Sequence, residues 1–171
     1  PGIFDAIQKY GIENIYTSFP EGRIRKETIE IGGRDIKALM KEMREKKINI
    51  SDYAKDMMES KDFTTLKKPE SEDLIRLKVG DLGFPKGKNP TTDEIYQRIE
   101  ELGLELCPAE TGPRYRLKYT NQPMSDWVRI GMKQIADRGG APFVFDLTRI
   151  EDGLWLRDDW AGSGHGWSPD A

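Results

Sequence analysis

From Arg114 to Asp159 the chain alternates apolar and polar residues in successive runs: Tyr115, Leu117 and Tyr119, then Val128, Ile130 and Met132, then Phe143, Phe145 and Leu147, then Leu154 and Leu156. A two-residue period is what a strand shows when one face packs on a core and the other meets solvent. The stretch therefore predicts an antiparallel sheet with strands near 114–119, 127–135, 143–150 and 154–159. Asp152-Gly153 is a hairpin signal, and Arg138-Gly139-Gly140-Ala141-Pro142 centres a longer turn. Links this short make consecutive strands neighbours, which is a meander.

Helical spacing precedes the meander. Ile36, Leu39, Met40 and Met43 fall on one helical face and predict a helix over 35–46, capped by Asp35. Ser51 is a good cap for a second helix over 51–60 that turns Tyr53, Ala54, Met57 and Met58 inward. The short link Lys47-Ile48-Asn49-Ile50 predicts that the two pack as a helical hairpin. Thr91 and Glu94 form a capping box for a third helix over 91–102, which Gly103 stops. Phe4, Ile7 and Tyr10 suggest a short helix near the start, and Glu27 to Ile31 a short strand. Ile75, Leu77 and Val79 predict a strand near 74–80, and Leu104 to Cys107 another before Pro108. The polar stretch Lys61 to Asp73, with Pro69 inside it, reads as a connecting loop and as the place for a subdomain boundary. The expected fold class is α+β: an antiparallel meander backed by about three helices on one face. We expect a single domain over 1–171, with a helical hairpin at 35–60 and a sheet-forming portion at 74–160.

The runs Val79-Gly80-Asp81-Leu82-Gly83-Phe84-Pro85, Thr91 to Arg114, Asn121 to Lys133 and Gly153 to Leu156 occur in the same order in a group of uncharacterised bacterial hypothetical proteins, which this chain resembles over roughly residues 35–167. The resemblance implies a bacterial, single-domain protein and carries no catalytic residue over. Members of that group continue past the Trp167-Ser168-Pro169-Asp170 segment into one more strand, so the resemblance implies either a sheet that lacks its last strand at Ala171 or a chain cut short there.

Composition narrows the function classes. Charged residues make up 33% of the chain and no apolar run approaches the length that crosses a bilayer, so a soluble protein with no membrane partner is expected. The start carries no basic segment followed by an apolar core, and Cys107 is the single cysteine. Both features suit a reducing compartment, and the expected location is cytoplasmic. The net charge of −3 leaves no basic tail for nonspecific nucleic-acid binding. Asp52, Asp56 and Glu59 on the second helix oppose a helix-turn-helix reading, so double-stranded DNA is not the expected partner.

The polar positions of the meander nominate a surface instead. Arg114, Arg116 and Lys118 alternate with the first apolar run, Trp127, Arg129 and Lys133 with the second, and Trp155 and Arg157 lie in the last. Cations alternating with aromatics can pair with an anion and stack a planar group, as sheet-surface readers of single-stranded nucleic acid do. The plainer alternative is a solvated face on which Arg and Lys stems cover apolar surface. The expected ligand-binding residues are Arg114, Arg116, Trp127, Arg129, Trp155 and Arg157, acting in a non-enzymatic binding or regulatory module for a protein or an anionic ligand, with single-stranded nucleic acid as a further possibility.

An enzyme reading has less to draw on. A thiol nucleophile at Cys107 needs a base, and the one histidine, His165, stands in a Gly-Ser-Gly-His-Gly run that reads as a mobile loop. Cys107 is better read as a small core residue. One histidine and one cysteine do not make a zinc site, so no metal is expected. Asp152, Asp158, Asp159 and Asp170, and Glu105 and Glu110 beside Cys107, read as solvated carboxylates, and no glycine loop has phosphate-binding spacing, so no cofactor is expected. The alternative that remains is a small hydrolase or transferase with a cleft at the 107–110, 122–127 and 160–167 segments, drawing on Glu110, Gln122, Asp126 and His165.

Overall fold

A computed structural model describes residues 25–171; the helix expected around Phe4 to Tyr10 lies outside the described residues. Within them the fold is α+β. The elements are β1 (Arg25–Ile31), α1 (Ile36–Glu45), β2 (Asn49–Ile50), α2 (Asp52–Glu59), β3 (Glu70–Arg76), α3 (Thr92–Glu101), α4 (Thr111–Lys118), β4 (Trp127–Arg129), β5 (Ile135–Ala136), β6 (Pro142–Ile150) and β7 (Gly153–Trp160). The chain divides into two compact units. Among the described residues, one holds 25–29, 71–106 and 163–171, and the other holds 30–70 and 107–162. The passage at Glu70–Ser71 falls inside the polar stretch that the sequence marks.

β1 and β3, most of whose residues belong to the first unit, pair as an antiparallel ribbon, joined by Thr28 Oγ1, which donates to Asp73 Oδ1 at 2.5 Å. The strand starts earlier than the alternation of Ile75, Leu77 and Val79 predicts, and Val79–Leu82 is instead a 3-10 turn. Asp81 is the local reason, because its carboxylate accepts the Lys78 N–H at 3.0 Å. Helix α3 begins with the predicted capping box: the Thr91 hydroxyl accepts the Glu94 N–H and the Glu94 carboxylate accepts the Thr91 N–H. The next donors of its first turn are met from the C-terminal segment, Thr92 N–H by the His165 carbonyl at 3.0 Å and Asp93 N–H by the Ser163 carbonyl at 3.2 Å. Trp167, buried, donates its Nε1–H to Thr92 Oγ1 at 2.8 Å. The glycine-rich run around His165, expected to be a mobile loop, is thus tied to a helix N-terminus whose N–H groups would otherwise lack acceptors.

The second unit is built on a sheet in the order β2-β7-β6-β4, with β5 also pairing β6. The β4, β6 and β7 pairings are antiparallel, whereas β2 runs parallel to β7 with Ile50 opposite Leu156. The link between α1 and α2 therefore enters the sheet and does not close a helical hairpin. Helix α1 packs on α4, and α2 packs on β7. Asp35 caps α1 and Ser51 caps α2, each accepting the N–H three residues on, as the sequence predicts. Leu39, Met43, Ala54, Met57 and Met58 are buried.

One predicted strand is a helix. Residues 114–119 were expected to open the meander, but Thr111–Lys118 is α4. Tyr115 and Tyr119, which the two-residue period places on one strand face, stack one helical turn apart with ring centroids 5.4 Å apart. Thr111 to Leu117 are all buried, and a helix buried all round has no wet face to reveal its period. Gly112 permits the close fit: a Cβ there would lie 2.7 Å from Phe145 side-chain atoms. The predicted strand 127–135 is also shorter, divided into β4 and β5. The expected core otherwise forms, with Tyr115, Leu117, Val128, Ile130, Phe145, Leu147 and Leu156 buried and Phe143 and Leu154 half-buried.

Candidate functional site

Register brings four of the expected ligand-binding residues onto one face of the second unit. Trp127, Thr148 and Trp155 stand in a row across β4, β6 and β7, and Arg129, Asp146 and Arg157 form the next row. Directly opposed side chains share a face. The outer strands of this trio are separated by two strand spacings, about 9.6 Å, yet their side chains meet. Arg129 on β4 donates Nε–H to Asp159 Oδ2 on β7 at 2.5 Å, and Arg157 on β7 puts its guanidinium carbon 5.8 Å from the Trp127 ring centroid on β4. Both arginine arms therefore cross over β6. Beneath them Val144, Asp146 and Thr148 are 3%, 2% and 0% exposed. This face is not simply a wet one: the central strand between the two arginine-bearing strands is buried.

Two buried polar atoms in that strip, Asp146 Oδ1 and Thr148 Oγ1, have no hydrogen-bond partner among the described residues. Burial pushes the Asp146 carboxyl up to about 7, with Asp159 and Asp158 adding to the effect and Arg129 and Arg157 opposing it. A carboxyl with that balance exchanges its proton near neutrality. Trp127 is 47% exposed; Trp155 is half-buried and donates to Asp152 Oδ1 at 2.8 Å. The strip thus offers a half-exposed indole, an arginine laid against it and an acid underneath.

Arg114 and Arg116, the other two expected binding residues, are not on this face. Both lie on α4, and both are buried. Arg114 donates Nε–H to the Glu30 carbonyl at 2.8 Å and an Nη2–H to the Gly32 carbonyl at 3.0 Å. Arg116 donates to Gln122 Oε1 at 2.5 Å and to the Tyr119 carbonyl, and desolvation lowers it to about 10, so it stays charged at neutral pH. Their guanidinium groups replace water with backbone carbonyls. They hold loops in place and cannot meet a ligand.

The residues of the enzyme reading are used in separate places. Glu110 is 1% exposed, and its carboxylate accepts the Gly32 N–H at 2.8 Å and the Leu66 N–H at 2.6 Å. Gln122 is fully buried; besides Arg116, it serves the Asp126 and Leu147 carbonyls, each at 2.9 Å. Asp126 accepts from Tyr119 Oη at 3.2 Å. Glu110 precedes α4 and Gln122 follows it, and an eight-residue helix is about 12 Å long. Gln122 and Asp126 adjoin, while Glu110 sits at the far end of the helix. His165 belongs to the first unit, where its ring meets Trp167 edge-on at 4.7 Å.

Cys107, expected in the core, is half-buried; it forms an isolated bridge with Met132 and donates its N–H to the Gly131 carbonyl. The late carboxylates have separate partners: Asp152 accepts from Trp155, Asp158 from Ser51, Asp159 from Arg129, and Asp170 from Lys78. Among the described residues no three His, Cys, Asp or Glu side chains cluster as a metal site, and no helix is long and apolar enough to cross a membrane. Compared with family models, curated proteins and solved structures, the chain matches none. Asp146 and Thr148 were missed from sequence because their significance lies in cross-strand register. Only once Arg129 and Arg157 are placed on either side of Asp146 does an ordinary alternating strand show a buried acid.

Proposed function

We propose that this protein is a non-enzymatic binding or regulatory module, and that the β4-β6-β7 face holds an anionic group of its ligand or protein partner through Arg157 beside Trp127, with Arg129 and Trp155 at the margins. One observation carries the reading: a half-exposed tryptophan ring bears an arginine on its face, so charge and stacking area are presented together at a surface. Thr148 extends the site, since its buried hydroxyl has no protein partner and can donate to an anion that enters the strip. The charges of Arg129 and Asp159 offset each other, which favours a ligand with one anionic group over a long polyanion such as single-stranded nucleic acid.

Titration of tryptophan fluorescence tests it. Sulfate, mononucleotides, short oligonucleotides and carboxylate-bearing peptides are each added to the wild type, to Trp127→Phe and to Arg157→Gln. The wild type should respond to at least one anion, Trp127→Phe should lose the signal, and Arg157→Gln should weaken binding roughly tenfold or more, as expected when a charge-assisted pair is removed. A wild type silent to every probe would remove the proposal.

A further inference from the structure

The strip under the two arginine arms contains an acid that no hydrogen bond explains. Asp146 stands directly between Arg129 and Arg157 in register, within side-chain reach of both, yet its Oδ1 has no partner. The charged groups on its own face are Arg129 from β4 and Arg157 and Asp159 from β7; Asp158, paired with Phe145, and Arg116 from α4 lie on the opposite side of the sheet and act on it only as distant charges. Arg129 is held by Asp159 at 2.5 Å. Arg157 is held by the weaker contact with the Trp127 ring, so it is the arm that an ionised neighbour can take.

We propose that Asp146 is a proton-operated latch on an oxyanion seat at Arg157, an inference that rests on the reading of this face as a binding surface. When Asp146 is neutral, the Arg157 guanidinium lies against Trp127 and accepts a sulfate, phosphate or carboxylate group. When Asp146 loses its proton, its carboxylate becomes the nearest strong acceptor, draws Arg157 off the Trp127 ring onto itself, and repels an incoming anion. Binding of an oxyanion and uptake of a proton by Asp146 are therefore linked: each favours the other to the same extent. The burial that raises Asp146 toward neutrality places the latch within a physiological range of pH.

Sulfate is the probe, because it stays a dianion throughout the range and any pH dependence belongs to the protein. At constant ionic strength, wild-type affinity, read by tryptophan fluorescence, should fall about tenfold from pH 6 to pH 8, the change in the neutral fraction of an acid that titrates near 7. Asp146→Asn should bind with a flat profile at the strong, low-pH level. Carbon-13 NMR of the wild-type Asp146 carboxyl gives a second readout that needs no variant, and sulfate should raise its titration midpoint. Sulfate binding that ignores pH, or a carboxyl that titrates near 4 or does not move with sulfate, would overturn the latch while leaving the binding face standing. Absence of any sulfate response at every pH, with Asp146 nevertheless titrating near 7, would instead remove the anion seat and the latch with it.

Discussion

Replacing Asp146 with Asn should make the protein more stable at neutral and mildly alkaline pH, and the amount follows from burial. An ordinary aspartate titrates at 3.8, and burial raises this one to about 7 against the opposing charges of Arg129 and Arg157. Between those values the folded state keeps a proton that the unfolded chain has released. Wild-type stability therefore falls as pH rises across this window, and is flat above it. At about 1.36 kcal/mol per pH unit the full penalty is roughly 4 kcal/mol, and about 2 to 3 kcal/mol of it falls between pH 5 and pH 8. Asparagine carries no proton to lose, and its buried carbonyl costs the same at every pH. Other carboxylates act in the opposite direction: Glu42 and Glu94, held below the ordinary range chiefly by hydrogen bonds from Lys46 and Lys88, contribute stability that is lost as pH falls. They are common to both proteins and cancel in the difference. Urea denaturation of wild type and Asp146→Asn at pH 5, 6, 7 and 8 should give a stability difference that grows by about 2 to 3 kcal/mol in favour of the variant. A difference that stays constant across the series would refute the buried-acid argument.

Three further substitutions probe the frame of the second unit and the cap of α3. Glu110→Gln should cost about 2 kcal/mol in urea denaturation, since an amide can accept only one of the Gly32 and Leu66 N–H groups and turns its own donors on the other. Gly112→Ala should destabilise by about 1 to 3 kcal/mol, because the added methyl meets Phe145 at 2.7 Å and either α4 or β6 must shift; an unchanged denaturation midpoint would show that the helix does not approach the strand this closely. Thr91→Ala removes the acceptor of the Glu94 N–H and should cost about 1 kcal/mol, read in the same assay, with Thr91→Ser close to wild type.

The helices α1, α2 and α3 were legible because each announces itself twice, once by apolar spacing and once by a capping side chain that the structure shows bonded to the third N–H. The pairing of β6 with β7 was legible from alternation and from Asp152-Gly153, where Gly153 turns at φ 123°. Of the candidate face, Trp127, Arg129, Trp155 and Arg157 were legible for the same reason. What the sequence could not show is that arms from the two outer strands meet across the middle one. That depends on strand order and register, and it turns three expected solvent positions, Val144, Asp146 and Thr148, into a buried strip.

Arg114 and Arg116 show why alternation alone misleads. In β6 the alternating residues include Val144, Thr148 and Ile150, branched at Cβ and suited to a pleated strand. The segment from Arg114 to Tyr119 has no β-branched residue, and Gly112-Pro113 stands just ahead of it, where proline's fixed φ suits a first helical turn. Propensity thus favoured a helix where periodicity favoured a strand, and burial on all sides removed the polar face that would have settled the matter. The same residue type then serves two ends. Where backbone carbonyls of Glu30, Gly32 and Tyr119 lie within reach, a buried arginine becomes a brace for loops. Where the nearest partners are an indole ring and an unbonded carboxyl, as at Arg157, the guanidinium is held by weaker contacts beside the half-exposed Trp127, and under the proposed binding role this is the arginine from which a ligand would gain most.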